Sequence, residues 1–368
     1  MPTLRRLYEE QGQSPWLDNL ARSELQDGTM LHYVARGVRG VTANPTIVAR
    51  ALESSDVYDA QIHRLITAGH SVEDVYWELA ITDVVTALQV LRPTFDASAG
   101  GDGFVSIEVA PGCAYDTEST KKAARNLHER IHEPNLLVKI PATTEGVPAI
   151  EAMTAEGRSI NVTLVFSLTR YADVLEAYLS GLETLVSRGG DVSSVHSVAS
   201  FFVSRVDTEV DRRLEDRGTG QALALRGRAA VAQAKLAYQL FQRAHAGERW
   251  ERLAAKGARV QRPLWASTST KNPLYPDTVY VDQLIGPDTV NTLPEDTIRA
   301  FEDHGTLART IDVDISQSEE VMQAIATTGV DMDVVGRKLE KQGITAFEDS
   351  FTHVLGTLAA KRHVAPNG

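Results

Sequence analysis

The sequence predicts an α/β chain folded as a (β/α)8 TIM-type barrel with extra helices, including a C-terminal helical extension. Three observations predict it. Short apolar runs alternate with longer helical patterns, the signal of βαβ units on a parallel sheet. Eight such runs can be counted, the number that closes a barrel of this kind. The 368 residues, 43% hydrophobic and 23% charged, suit one barrel of roughly 250 residues with additions. One domain is therefore expected over 1–368, with helices from 295 to 368 packing on the barrel.

The expected strands, in order, are Trp16–Leu20, Gly40–Asn44, Phe104–Ala110, Leu136–Ile140, Ile160–Phe166, Val198–Val203, Pro263–Ser267 and Thr289–Thr292. Amphipathic helical patterns cover Ser71–Leu91, Thr117–Ile131, Val147–Ala155, Ser167–Ser187 and Val206–Ala246, with Ser71, Thr117 and Ser167 as opening caps. The charged stretch 207–245 is expected to hold two helices, broken near Gly218-Thr219-Gly220. In the tail, Asp331–Gln342 and Phe347–Lys361 are expected as separate helices split by Gly343. Asp96–Gly103 reads as a loop.

The fourth run, Leu136-Leu137-Val138-Lys139-Ile140, carries a lysine inside an otherwise apolar strand that Pro141 closes. Burying an ammonium is costly unless it is paired or neutralised, and a neutral amine attacks carbonyls to form a Schiff base. The alternative is a lysine that snorkels to solvent or sits in an ion pair. Strand parity favours chemistry. If Lys139 faces the interior, alternation sends Asp18, Thr42, Asn44, Ser106, Glu108, Asn161, Thr163, Ser200, Phe202 and Ser267 the same way. The same alternation sends Leu164, Phe166, Leu264 and Ala266 outward. An interior built only for stability would be Val, Ile and Leu, so a polar one reads as a site. Lys139 is the candidate nucleophile, and Asp18 and Glu108 are the acids available to move protons. Taken singly, Asn44 could merely cap a helix, Thr163 fill a strand and Glu108 pair with Lys139.

The net charge of −12 argues against a nucleic-acid or anionic-membrane surface, so an anionic substrate needs a local cationic cluster. A single cysteine, Cys113, allows no intrachain disulfide and reads as incidental. Met1 to Gln13 lacks the apolar core of a signal peptide, and no window reaches a membrane span, so a cytoplasmic protein is expected. His128-Glu129-Arg130-Ile131-His132 matches H-E-x-x-H, but it falls on an outer helix leading into the fourth strand with no third ligand nearby. Two solvated histidines on a surface helix, and no metal, are the expectation there. There is no P-loop and no dinucleotide-binding glycine pattern.

Val41-Thr42-Ala43-Asn44-Pro45-Thr46, the Lys139 strand and Ile160-Asn161-Val162-Thr163-Leu164-Val165-Phe166-Ser167 resemble the signature stretches of transaldolases. The resemblance runs from about Trp16 to Pro294, and Trp265-Ala266-Ser267-Thr268-Ser269-Thr270-Lys271-Asn272-Pro273 looks like the long bacterial form. It implies transfer of a dihydroxyacetone unit from sedoheptulose 7-phosphate to glyceraldehyde 3-phosphate, giving erythrose 4-phosphate and fructose 6-phosphate. The carrier is a lysine Schiff base, in the non-oxidative pentose phosphate pathway, with no cofactor. By the resemblance, Lys139 is the Schiff-base lysine and Asp18 the acid/base on the donor C4 hydroxyl. Glu108 and Thr163 position a catalytic water, Asn44, Asn161 and Ser200 hold the dihydroxyacetone hydroxyls, and Arg205 binds phosphate.

The sequence departs from the family where a second phosphate-binding arginine should follow Ser267 by two residues. Ser269 stands there, so Ser267 and Lys271 are taken to complete the phosphate site, Lys271 as a point charge without arginine's fork. Phe202 occupies a place that is a tyrosine in the related fructose-6-phosphate aldolases. A phenylalanine cannot donate a proton, which favours transfer over simple cleavage. The alternatives are a fructose-6-phosphate-type aldolase and a non-catalytic sugar-phosphate-binding barrel. Expected partners are small-molecule sugar phosphates, with no nucleic acid and no membrane, on a monomer or homodimer.

Overall fold

The computed structural model describes residues 2–364 in backbone and residues 2–361 in side chain. Eight parallel strands close into a barrel in chain order: β1 Gln13–Leu17, β2 Gly40–Thr42, β3 Phe104–Glu108, β4 Leu136–Pro141, β5 Ile160–Val165, β6 Ser197–Phe202, β7 Arg262–Ala266 and β8 Thr289–Leu293. Closure comes from β1 pairing with β8 over five residues, Gln13↔Thr289 to Leu17↔Leu293. The first half of the helices comprises α1 Thr3–Gln11, α2 Arg22–Gln26, α3 Thr29–Arg36, α4 Pro45–Ser54, α5 Asp59–Thr67, α6 Val72–Ala97, α7 Thr117–Arg130, α8 Gly146–Ala155 and α9 Leu168–Ser187. The second comprises α10 Ser204–Arg217, α11 Gly220–Leu223, α12 Ala229–Ala244, α13 Gly247–Ala254, α14 Val279–Asp282, α15 Glu295–His304, α16 Ile315–Thr327 and α17 Met332–Val364. Among the described residues, no helix is long and apolar enough to cross a membrane.

Two caps match their sequence signals. Ser71 forms a capping box with Asp74 on α6, and Ser167 accepts from the Arg170 N–H on α9, each worth about 1 kcal/mol. The α7 cap is Asp116, one residue before Thr117; its carboxylate accepts from Ser119.

Several expectations are corrected. β1 lies three residues before the expected run and leaves Asp18 just beyond its end. The polar start of this strand is held by bonds a periodicity count cannot anticipate: Gln13 Nε2 donates to the Leu284 carbonyl at 2.6 Å, and Ser14 bonds to the buried Asp102. The alternation of β5 breaks at a bulge between Val162 and Val165, where Leu164 adopts φ +59°. Phe166 therefore stacks on the interior Phe202, with ring centroids 5.0 Å apart, instead of facing out. β7 is inverted relative to expectation. Ser200 and Phe202 register with Leu264 and Ala266, which face in, while Trp265 packs outward on Phe201.

Among the helices, α6 runs through Pro93 to Ala97, so the expected loop starts later. The stretch 207–245 forms three helices, not two. In α10, Asp207 is buried and accepts from Tyr280 Oη at 2.7 Å and the Ala230 N–H at 2.7 Å. Gly343 does not split the tail, because α17 is continuous. Glycine packs closely there: a Cβ would meet Leu164 Cδ2 at 2.8 Å, so the leucine end would have to shift, while Arg205 Nη1 would stand 3.7 Å away. α17 thereby lies across the β5–α10 side of the mouth, and Ser350 Oγ meets Thr46 Oγ1 at 2.8 Å.

The histidines of H-E-x-x-H separate. His132 is exposed beyond the end of α7, while His128 is largely buried and burial pushes its imidazole down to about 4. The expected pair of solvated histidines on one helical turn is thus absent.

Candidate active site

Strand ends and the loops after them converge at the C-terminal mouth on a cavity of about 270 Å³. Lys139, Asp18, Asn44, Thr163, Ser200, Phe202, Arg205, Ser267 and Lys271 all line it. Lys139 is only 6% exposed, and its Nζ lies 3.3 Å from Glu108 Oε2. The pair exists because β3 and β4 register Glu108 against Lys139. Burial is the main cause that pushes the Glu108 carboxyl above the usual range; Lys139 opposes it and Asp18 adds to it. Thr163 Oγ1 is buried without a hydrogen-bond partner among the described residues, and Glu108 Oε2 has only the Lys139 Nζ at 3.3 Å. Orphaned buried polar atoms are costly, and beside a lysine they suit a substrate or a water.

Asp18 accepts from Thr42 Oγ1 at 2.9 Å. Asn44 performs the structural task foreseen as its alternative: Oδ1 caps α4 through the Ile47 N–H at 3.0 Å. It also borders the cavity, leaving its amide nitrogen uncommitted. Asn161 sits a step deeper and is fully buried. Its Nδ2 donates to Ser106 at 2.9 Å, and its Oδ1 accepts from Ser200 at 2.8 Å. In this geometry Asn161 orients Ser200 and does not itself border the cavity.

The cationic corner is built from loops and helix starts. Arg205, in the first turn of α10, makes no salt bridge among the described residues and stands 5.2 Å over the Phe202 ring. Burial lowers its pKa, while Asp18 and Glu108 oppose that change. Ser267 follows β7 at φ +57°, and this turn brings its Oγ to 2.9 Å from Ser204 despite the inverted strand parity. Lys271, at the exposed rim, donates to Ser269 Oγ at 2.6 Å. Partial desolvation and then the Arg205 charge lower its pKa. Two neighbouring cations that make no salt bridge among the described residues are chemistry that suits an anion.

Arg50 and Phe347 also line the cavity and were not anticipated. Arg50 has no salt bridge among the described residues and lies on α4 six residues after its cap. The spacing Asn44, Ile47, Arg50 is the signal that could have found it, because residues three apart share a helix face. Phe347 comes from α17, with no local sequence mark. Among the described residues, no group of three or more His, Cys, Asp or Glu is arranged to hold a metal ion.

A family model described as Transaldolase/Fructose-6-phosphate aldolase matches residues 15–358. A transaldolase of Frankia alni is 49% identical over 350 residues, covering 95% of this chain and 94% of the relative. One from Mycolicibacterium smegmatis is 48% identical over 94% and 93% of the two chains. Transaldolase 1 of Streptomyces avermitilis is 45% identical over 97% and 94%.

Proposed function

Since the chain belongs to the transaldolase family, we propose that it is a transaldolase in which Lys139 carries a dihydroxyacetone unit as a Schiff base between sugar phosphates. The observation that carries this reading is the buried Lys139–Glu108 pair at 3.3 Å, with Lys139 lining the mouth cavity. The donor is sedoheptulose 7-phosphate and the acceptor glyceraldehyde 3-phosphate. Glu108 takes a proton from the lysine ammonium, and the free amine adds to the ketose carbonyl. The raised affinity of Glu108 for protons then suits it to return one as the carbinolamine loses water, with Thr163 holding that water. Asp18 removes the C4 hydroxyl proton. The C3–C4 bond breaks, its electron pair enters the iminium as an enamine, and erythrose 4-phosphate leaves. The enamine adds to the acceptor aldehyde, which regains a proton from Asp18, and hydrolysis frees fructose 6-phosphate and Lys139.

Ser200, oriented by Asn161, and the amide nitrogen of Asn44 hold the three-carbon unit. Phe202 between Phe166 and Arg205 keeps water from the enamine, which favours transfer over aldolase release. Arg205, Ser267 and Lys271 hold the phosphate, with Arg50 a further cation lining the cavity. The enzyme works in the cytoplasm on free sugar phosphates, without a cofactor, as a monomer or homodimer.

The test is covalent trapping. Incubation with fructose 6-phosphate and borohydride should leave a dihydroxyacetone-sized mass on the Lys139 peptide; folded protein without that adduct overturns the reading. Lys271→Ala should raise KM for phosphorylated sugars roughly three- to tenfold, in line with an exposed charge-assisted contact. KM for free dihydroxyacetone should barely move. Equal changes in steady-state assays with both would put Lys271 outside the phosphate site.

A further inference from the structure

The larger cavity of the barrel lies at its other end. It measures about 590 Å³, within the range of small-molecule sites, and opens at the N-terminal ends of the strands. We propose that this cavity is a second ligand site that binds a phosphoryl group, as inorganic phosphate or a phosphomonoester.

Three groups carry the inference. Arg259 is held by backbone carbonyls, with Nη2 donating to Ala99 at 2.7 Å and Nε to Ser193 at 3.2 Å, and it makes no salt bridge among the described residues. Its charge is therefore fixed in direction and uncompensated. Arg262 borders the same space and reaches Asp102 at 3.1 Å, but Arg39 binds that carboxylate too, at 2.8 Å. Two guanidiniums on one fully buried carboxylate leave one positive charge over. His196 is 7% exposed and lines the cavity, yet its ring makes no hydrogen bond among the described residues. Burial, then Arg259 and Arg262, push this imidazole down to about 3, so it is neutral and can donate to an anion from one nitrogen.

Part of the wall is the backbone of Gly12, Gly100 and Gly101. Gly100 adopts φ +76° and a Cβ there would stand 3.0 Å from His196 Cε1, so glycine suits this close approach. Glu9 and Asp288 also border the cavity, but both are exposed at its edge and neither pairs with Arg259 or Arg262. A purely structural role explains Asp102 and one arginine. It does not explain the surplus charge at Asp102 or an unpartnered His196 facing the same space as Arg259. The floor includes Leu137, one inward step below Lys139 on β4, so a ligand here rests on the catalytic strand from beneath.

Calorimetric titration tests this on an Arg205→Ala, Lys271→Ala background, which removes phosphate binding at the mouth. Inorganic phosphate should still bind, and adding Arg259→Gln should weaken it at least tenfold. Arg259→Gln alone should leave transaldolase turnover unchanged. His196→Phe, which keeps the ring packing on Phe104 (centroids 4.9 Å apart), should weaken binding likewise and serves if Arg259→Gln fails to fold. A tighter isotherm with glucose 6-phosphate than with phosphate assigns a phosphorylated sugar as ligand; equal isotherms assign the free ion. Loss of all phosphate binding on the background, or undiminished binding in Arg259→Gln or His196→Phe, overturns the proposal.

Discussion

Lys139→Ala is expected to lower turnover by about four orders of magnitude or more, because the covalent step has no other amine to use. The fold should survive, since an alanine at that interior position loses only a stem. What the substitution does to Glu108 makes the result more informative than a dead enzyme. Without the ammonium 3.3 Å away, the carboxyl loses the charge that opposes its burial, and its proton affinity in the fold rises further. A carboxyl whose folded pKa lies above its unfolded value contributes stability that is full below the unfolded value and lost as pH rises through the folded one. The variant should therefore melt progressively lower, relative to wild type, as pH climbs above the ordinary carboxylate range. Lys139→Ala, Glu108→Gln should flatten that difference. Thermal melts across pH for the three proteins check the coupling, and residual turnover near wild type would show that the nucleophile lies elsewhere.

Arg205→Ala is expected to cut kcat/KM for phosphorylated donors by roughly one hundredfold, the scale of a charge-assisted bond worth about 2–3 kcal/mol. Unphosphorylated donors should be nearly unaffected. Arg205→Lys should recover only part of the loss, because an ammonium lacks the fork. Stability should move the other way. A partly buried guanidinium with no ion pair among the described residues is unfavourable, so its removal should raise the melting temperature, less the weak attraction of about 0.5–1 kcal/mol to the Phe202 ring. Kinetics with paired phosphorylated and unphosphorylated donors, beside a melt, read both effects. An equal loss on both donors would remove Arg205 from the phosphate site.

The residues show why the barrel was legible and where legibility ended. Lys139 was conspicuous because β4 is otherwise apolar, and Glu108 and Thr163 followed from period-two alternation along strands covered on both faces. Alternation failed where the backbone departs from a regular pleat. At Leu164 the bulge resets it, and a single sequence gives no warning of a positive φ at a leucine. Ser267 reached the site although the β7 parity was inverted, because a left-handed turn after the strand re-aims it. β1 hid behind Gln13 and Ser14, whose partners Leu284 and Asp102 are far away in sequence. Phe347 was invisible for the same reason, since its helix meets the mouth only through tertiary packing, whereas Arg50 could have been read from its three-residue spacing to Ile47 and Asn44. His128 belongs with Phe347, since nothing local tells a buried histidine from a solvated one.

The pairing of Gln13 with Thr289 joins residues 276 apart, and the proposed site draws on both sides of that seam, from Asp18 to Lys271. Forming it requires closing nearly the whole chain into a loop, an entropic cost that shorter-range βα pairs do not carry. Helices and most strand pairs can assemble locally, whereas the cavity has no complete wall until the last seam forms. During refolding, helical signal should then return before turnover does. A cut chain that keeps every proposed catalytic side chain but cannot close β1 onto β8 holds the parts of the site without the site.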